Sequence, residues 1–337
     1  MSSPPTHILL TGATGFIGAH ILDALLAHTS ANIRVAVRSP HKGTALLAAR
    51  ASHAARLSTV TIPDFASPEL DLTPALAGGI DGVIHAASPV TYDITDNEAE
   101  LIQPAIRGVE AILKAAAAAG SVKRMVLTSS FAAVLDINRT SGTYTAADWN
   151  PITYAEGVAD SPVEAYRASK KFAELAAWEF AESGKAGFDL VTIAPPMVFG
   201  PVVHPVGGVA ELNDSAAVLW RAAEGREPRP VARVAFWVDV RDLAVAHVQA
   251  LLRPEAGGKR FLVASPERFN YALVAKIVSE EFEFARARVV EGSLVPDQTK
   301  DIDGETAARE LGISYRRLRE SVVDLVAQIS KKQEEGW

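Results

Sequence analysis

Cysteine is absent from the 337 residues of this chain. Its absence excludes disulfides, thiol nucleophiles and metal sites built from cysteine. No apolar run approaches the roughly 18 residues that a helix needs to span a bilayer, and the first residues carry neither the basic segment nor the apolar core of a signal peptide. We therefore expect a cytoplasmic protein without a membrane-spanning segment.

A surplus of basic charge is also missing, since the formal net charge is −7. This balance argues against a general affinity for nucleic acid or for anionic membranes. Hydrophobic residues make up 48% of the chain and charged residues 22%, which are ordinary values for a globular protein. A chain of this length can bury a large core, so we expect one large domain and a smaller one.

A glycine-rich turn follows the first apolar segment. Residues 7–11 are typical of a short buried strand, and from Phe16 onward the apolar residues take helical spacing. A strand that turns on glycine into a helix directs backbone N–H groups and the positive end of the helix dipole at one spot, which suits a phosphate. Gly12 allows the tight turn, Gly15 lets a pyrophosphate approach the backbone, and Gly18 lets the helix lie close to its strand.

The end of the second strand indicates which dinucleotide is bound. An acidic residue about 20 positions past the glycines would bind the ribose hydroxyls of NAD, yet there is no Asp or Glu between Asp23 and Asp64. Arg38 ends this strand instead, and Lys42 follows one helical turn later. Two cations and no anion favour a 2′-phosphate and therefore NADPH. The alternative is that both cations only decorate a surface helix.

Strands and helices alternate along the first half of the chain. This alternation predicts an α/β fold in which a doubly wound parallel sheet of the Rossmann type is covered on both faces. A long apolar stripe predicts a helix over 97–119. The predicted strands occupy 7–11, 33–38, 58–62, 82–87 and 124–130.

The second half predicts a smaller C-terminal substrate-binding region. A further strand at 188–194 ends in prolines, and 202–235 lacks the alternation of strand and helix. We expect an NADP-binding domain over 6–195 and 236–264, and a substrate-binding region over 196–235 and 265–332.

Tyr166 and Lys170 open a predicted helix and, being four residues apart, lie on one face of it. A free tyrosine has a pKa of about 10, and a neighbouring ammonium, helped by the charge of oxidised nicotinamide, is expected to lower that pKa by favouring the phenolate. Ser130 ends the fifth strand, where ligands bind in such sheets. These residue types predict hydride transfer in which Tyr166 donates the proton, Ser130 donates a hydrogen bond to the substrate oxygen and Lys170 binds the nicotinamide ribose.

The chain resembles the extended short-chain dehydrogenases/reductases over almost its whole length. Within them it is most similar to fungal NADPH-dependent methylglyoxal/aldehyde reductases and to plant dihydroflavonol 4-reductases and cinnamoyl-CoA reductases. Besides the glycine turn, the resemblance rests on His85-Ala86-Ala87-Ser88-Pro89, Asp93-Ile94-Thr95-Asp96, Val126-Leu127-Thr128-Ser129-Ser130, Trp149-Asn150-Pro151 and the helix from Tyr166 to Glu179.

This resemblance implies a carbonyl reductase whose catalytic residues are Ser130, Tyr166 and Lys170, with no metal. The second serine of the Thr-Ser-Ser run is the family's catalytic serine, so Ser130 is preferred over Ser129. Many extended members have an asparagine on the helix after the fourth strand where this chain has Arg107, so the resemblance does not extend to a proton-relay water held by asparagine.

The candidate binding residues follow from these positions. The cofactor set is Gly12, Thr14, Gly15, Phe16, Ile17, Arg38, Lys42, Asp64, Phe65, Ala86, Ala87, Ser88, Thr128, Ser129, Tyr166, Lys170, Pro195 and Val198. The substrate set is Val90, Ser130, Phe131, Val163, Tyr166 and Met197. Its walls are apolar and suit a hydrophobic or aromatic carbonyl compound, although each wall residue is equally compatible with plain core.

Two alternatives remain at this stage. One is a nucleotide-sugar epimerase or dehydratase that retains NAD, in which Arg229 and Arg233 bind the sugar diphosphate. The other is a non-catalytic NADPH-binding regulator, against which stands the presence of all three catalytic residue types. For partners we expect a small-molecule carbonyl substrate, neither nucleic acid nor membrane, and a monomer or homodimer.

Overall fold

The computed structural model of the chain describes residues 4–88, 92–225, 234–286 and 292–337. In chain order its strands are β1 (His7–Thr11), β2 (Asn32–Val37), β3 (Leu57–Thr61), β4 (Gly82–His85), β5 (Arg124–Thr128), β6 (Gly142–Tyr144), β7 (Asp189–Ala194), β8 (Met197–Phe199), β9 (Trp237–Asp239), β10 (Arg260–Leu262) and β11 (Lys300–Ile302). Its helices are α1 (Phe16–His28), α2 (Pro40–Ala48), α3 (Thr73–Leu76), α4 (Gln103–Ala119), α5 (Tyr154–Ala159), α6 (Pro162–Glu182), α7 (Asp214–Glu224), α8 (Val240–Leu252), α9 (Tyr271–Glu281), α10 (Glu305–Leu311) and α11 (Leu318–Glu334).

Seven strands form one parallel sheet in the order β10–β7–β5–β4–β1–β2–β3. The pairs β6–β11 and β8–β9 form two small parallel sheets. Because the strand order runs outward from β1 in both directions, the winding reverses between β1 and β4. That reversal leaves a crevice beyond the carboxyl ends of these strands, where Thr11 pairs with His85. The predicted doubly wound α/β fold is confirmed.

The apolar residues of β1 show why both faces of the sheet are covered. Ile8, Leu9 and Leu10 are fully buried, and successive side chains of a strand point to opposite faces. Ile8 and Leu10 belong to the hydrophobic cluster that includes α1 and α8, whereas Leu9 belongs to the cluster that includes α4. Helices α1 and α8 pack together on one face, and α4 and α6 pack together on the other.

Several element ends differ from the sequence predictions. β2 and β3 lie one residue earlier than predicted, and β4 and β5 end two residues early, at His85 and Thr128. The helix predicted over 97–119 is a π-helical turn over Glu98–Ile102 followed by α4. Pro104 lacks the N–H that would donate to the carbonyl four residues earlier, so the regular helix begins beside it.

The C-terminal half adds short elements around the crevice. Residues of α7, α9 and α11 extend the hydrophobic cluster of α1 and α8, so this half shares a core with the sheet. None of the helices in the described ranges has the length and hydropathy of a bilayer-spanning segment. Within the same ranges, no three His, Cys, Asp or Glu side chains converge as metal ligands. The division into 6–195 plus 236–264 and a substrate-binding remainder stays a prediction.

Candidate active site

The turn between β1 and α1 requires glycine at two positions. Gly12 has a φ of +77°, and a Cβ there would lie 2.7 Å from the Ala86 backbone. A Cβ on Gly18 would lie 2.1 Å from the Gly12 carbonyl oxygen, because α1 packs directly on the turn. Gly15 is exposed, and its amide donates to the Gly12 carbonyl at 3.0 Å. The bare backbone at the start of α1 fits a diphosphate, which binds readily at helix N-termini.

A cleft of about 520 Å³ runs from this turn along the carboxyl ends of β2, β3 and β4. Arg38 and Lys42 line the cleft, and both are exposed. Of the described residues that line it, only Asp64 is acidic, and its carboxylate accepts a hydrogen bond from the Ala66 amide at 2.8 Å. Two cations beside β2, with no acid at its end, fit the 2′-phosphate of NADPH.

His85 forms part of the floor of the cleft. It is 2% exposed, and its Nδ1 lies 2.9 Å from the Thr11 hydroxyl oxygen. Burial, with a smaller contribution from the charge of Lys170, lowers the pKa of His85 to about 4. The imidazole is therefore neutral at physiological pH and serves packing between β1 and β4.

The three candidate catalytic side chains meet where β5 ends beside α6. The Ser130 oxygen accepts a hydrogen bond from the Ala132 amide at 3.1 Å. The Ser130 hydroxyl also acts on the Tyr166 phenol, where it favours the ionised form and lowers the pKa. Lys170 Nζ lies 5.6 Å from the centroid of the Tyr166 ring and donates to the Ser88 hydroxyl at 2.7 Å.

Helix α6 begins one turn earlier than predicted. Pro162 occupies its first turn, and the Ser161 hydroxyl accepts from the Glu164 amide as the N-cap. Tyr166 therefore lies in the second turn and not at the helix start. This extra turn gives the tyrosine backbone a full set of helical hydrogen bonds on both sides, which fixes the phenol in position.

Burial determines the electrostatics of the site. It raises the pKa of Tyr166 above the ordinary 10; the hydrogen bond with Ser130 offsets part of the rise, and the charge of Asp214 adds to it. Burial also lowers the pKa of Lys170 from 10.5 to about 8. The predicted net lowering of the Tyr166 pKa is wrong in this structure, because desolvation of the phenolate dominates and the Lys170 ammonium donates to Ser88. The phenol is thus protonated at neutral pH.

Some residues predicted to contact the cofactor instead contact other parts of the protein. The Thr128 hydroxyl lies 2.8 Å from His247 Nε2, and the Ser129 hydroxyl donates to Glu174 at 2.6 Å. Val198 is buried in the core. These side chains are committed to protein partners, so only their backbone is left for a cofactor.

The remaining predicted cofactor residues fall into two groups. Those that line the cleft are Gly12, Thr14, Gly15, Arg38, Lys42, Asp64, Phe65, Ala86, Ala87 and Ser88. Phe16 and Pro195 are buried beside it, and Ile17 is half-buried.

The predicted substrate residues separate in the same way. Phe131 is buried and packs edge-on against Tyr144 and Phe236, with ring centroids 5.0 and 5.4 Å away, so its ring belongs to the core and not to an open wall. Val163 and Met197 are half-buried. Val90, like Arg229 and Arg233 of the alternative nucleotide-sugar site, lies outside the described residues.

Two residues near Tyr166 are not predicted from the sequence. The Tyr92 ring lies 5.7 Å from the Tyr166 ring and is 44% exposed. Asp214, at the start of α7, is exposed and acts electrostatically on the Tyr166 phenol. An aromatic residue soon after the fourth strand is a usable signal for Tyr92. Asp214 follows a stretch without periodic pattern, so nothing in the sequence points to it.

Comparison with known proteins places this site in a family. Residues 8–270 match the model of the NAD dependent epimerase/dehydratase family. The chain belongs to this family. The resemblance to extended short-chain dehydrogenases/reductases is thereby confirmed.

Individual relatives align over nearly the whole chain. The ketoreductase azaE of Aspergillus niger is 35% identical over 339 residues, covering 98% of this chain and 99% of that protein. The NADPH-dependent methylglyoxal reductase GRE2 of Saccharomyces cerevisiae is 35% identical over 344 residues, covering 96% and 98%. The crystal structure of yeast methylglyoxal/isovaleraldehyde reductase Gre2 complexed with NADPH superposes with a TM-score of 0.88 at 32% identity, covering 97% and 99%.

Proposed function

We propose that this chain is an NADP-dependent oxidoreductase that reduces an aldehyde or ketone to the alcohol. The observation that carries the proposal is the meeting of Ser130, Tyr166 and Lys170 beside a cleft that has Arg38 and Lys42 along it. Relatives named as an NADPH-dependent methylglyoxal reductase and a ketoreductase support the same class of reaction.

NADPH supplies the hydride for the carbonyl carbon when it is bound. The backbone of the turn from Gly12 to Gly15 binds the diphosphate, and Arg38 and Lys42 bind the 2′-phosphate through charge-assisted hydrogen bonds. Lys170, which donates to Ser88 in this structure, binds the nicotinamide ribose hydroxyls.

Proton delivery follows from the protonation states of the site. Ser130 donates a hydrogen bond to the substrate oxygen, where negative charge develops as the carbonyl carbon is reduced. The phenol of Tyr166, kept protonated by its raised pKa, transfers its proton to that oxygen, and the alcohol results. The positive charge of Lys170 then stabilises the phenolate that remains until a proton returns from solvent.

The described surroundings favour a hydrophobic or aromatic carbonyl compound. Val163 and Met197 are half-buried apolar side chains, and the exposed ring of Tyr92 lies beside Tyr166. Aromatic rings pair in offset or edge-on geometry, so a substrate ring can pack against Tyr92 while its carbonyl oxygen reaches Tyr166.

The test is a substrate and cofactor screen with product identification. Purified protein is given NADPH or NADH with a series of aldehydes and ketones, from small aliphatic to aryl compounds, and the alcohol is identified by mass spectrometry. We expect alcohol formation with NADPH in preference to NADH, and faster turnover of aryl than of small polar carbonyls. Turnover of nucleotide sugars alone, with tightly retained NAD, would contradict the proposal.

A further inference from the structure

A carboxylate lies buried two turns beyond Tyr166 on the same helix. Glu174 is 1% exposed and accepts hydrogen bonds on both oxygens. Arg260 donates to Oε1 at 2.8 Å and to Oε2 at 3.0 Å, which is a two-pronged ion pair. Thr192 donates to Oε1 at 2.7 Å, and Ser129 donates to Oε2 at 2.6 Å.

The cation of this pair is itself held in place. The Arg260 guanidinium stacks 3.8 Å from the centroid of the Trp149 ring and donates to the Ala146 carbonyl at 3.0 Å. A buried ion pair is rigid when its remaining donors and acceptors are satisfied. Glu174 is therefore a fixed anchor that joins α6 to β10, to β7 and to the end of β5.

Two consecutive serines face α6 at two separate points. Ser129 donates to Glu174, and Ser130 acts electrostatically on Tyr166, eight residues earlier on the helix. Eight residues correspond to about 12 Å along a helix axis. The bond between Ser129 and Glu174 therefore ties α6 to the residue next to Ser130, two turns beyond Tyr166.

The backbone of the serine segment is also fixed. The Ser129 amide donates to the Ile193 carbonyl at 2.7 Å, and the Phe131 amide donates to the Pro195 carbonyl at 2.8 Å. These bonds fix the segment to β7, and the Ser129 side chain adds a direct bond from the segment to α6.

We propose that Ser129 and Glu174 form a positioning pair that sets the Tyr166 phenol against the Ser130 hydroxyl. The inference rests on the proposed function, because it assigns the pair a role in the same reaction. Neither residue acts as a catalytic group. Ser129 acts through its neighbour Ser130, and Glu174 acts through helix α6, which carries Tyr166.

The chain offers a matched control. Ser129→Ala and Thr192→Val each delete one hydroxyl that donates to Glu174, and each leaves the ion pair with Arg260 in place, so we expect both variants to fold. Only Ser129 is joined in sequence to Ser130. Misplacing reacting groups lowers the rate of chemistry more than it lowers binding. We expect kcat to fall about tenfold in Ser129→Ala with KM for NADPH within about twofold, and kcat of Thr192→Val to stay near that of the wild type.

A second readout does not depend on turnover. The ionisation of Tyr166 is measured by ultraviolet difference titration against Tyr166→Phe. A looser hydrogen bond from Ser130 stabilises the phenolate less, so Ser129→Ala raises the pKa of Tyr166, whereas Thr192→Val leaves it unchanged.

The outcomes distinguish failure of the positioning pair from failure of the proposed function. Equal changes in the two variants, in kcat or in the titration, overturn the positioning pair and reduce Glu174 to a structural anchor. If the wild type reduces no carbonyl compound, the proposed function fails, and the titration alone then decides whether Ser129 positions the phenol.

Discussion

Lys170 is expected to destabilise the fold in which it functions. It is 7% exposed, and burial lowers its pKa from 10.5 to about 8. The folded protein thus binds this proton more weakly than the unfolded chain does. The destabilisation by Lys170 has its full size below about pH 8 and disappears as the pH rises toward 10.5. The difference in pKa corresponds to about 3 kcal/mol.

Lys170→Met keeps the length of the side chain and removes its charge. The variant also loses the hydrogen bond to Ser88, and a bond to a charged group contributes about 1.5 kcal/mol or more. We therefore expect the cofactor-free variant to gain about 1–2 kcal/mol in free energy of unfolding near neutral pH while reductase activity is lost. This combination is the trade-off between stability and activity found at functional sites.

Urea unfolding followed by circular dichroism measures the effect, at neutral pH and again at high pH. The gap between Lys170→Met and the wild type should shrink at high pH, where the wild-type lysine is neutral. Lys185→Met, at an exposed lysine, serves as the control and should change stability by no more than about 0.5 kcal/mol. A variant less stable than the wild type near neutral pH, or a gap independent of pH, would refute the reasoning.

Three further outcomes follow from the site. Arg38→Ala combined with Lys42→Ala should raise KM for NADPH by about 10- to 100-fold through lost charge-assisted bonds and leave KM for NADH nearly unchanged; equal effects on both cofactors would rule out the 2′-phosphate contact. Gly18→Ala should destabilise the fold by about 1–3 kcal/mol, since its Cβ would meet the Gly12 carbonyl oxygen at 2.1 Å; thermal unfolding detects this, and an unchanged melting temperature would show that α1 is free to shift. Tyr92→Ala should raise KM for aryl ketones more than KM for small aliphatic aldehydes, and a uniform rise would remove Tyr92 from the substrate site.

The sequence predicts the parts of the molecule whose physical requirements are local. A buried strand followed by glycines and then by a 3.6-residue apolar period has few structural solutions, so β1, the turn at Gly12 and α1 are predicted closely. The alternation of strands and helices gives the parallel sheet for the same reason. Strands of three residues, such as β8 and β9, are too short to show a period and form only because they pair with each other.

The sequence does not predict the directions of the side chains in the site. Within the Thr-Ser-Ser run, the sequence does not reveal that Ser129 turns to Glu174 while Ser130 turns to Tyr166, because Glu174 becomes a neighbour only through packing of α6. The sequence also predicts the wrong direction for the pKa shift of Tyr166, for a related reason. Proximity to Lys170 is visible in the spacing, but the desolvation that outweighs it depends on the surrounding fold.

The central claim is that Tyr166 donates the proton in carbonyl reduction, and Tyr166→Phe tests it most directly. The variant keeps the ring and removes only the hydroxyl. We expect kcat for carbonyl reduction to fall by about 100-fold or more, with NADPH affinity, measured by the fluorescence of the bound cofactor, within about twofold of the wild type. Retention of kcat within about tenfold of the wild type would contradict the assignment and would move the proton donor to another group in the cleft.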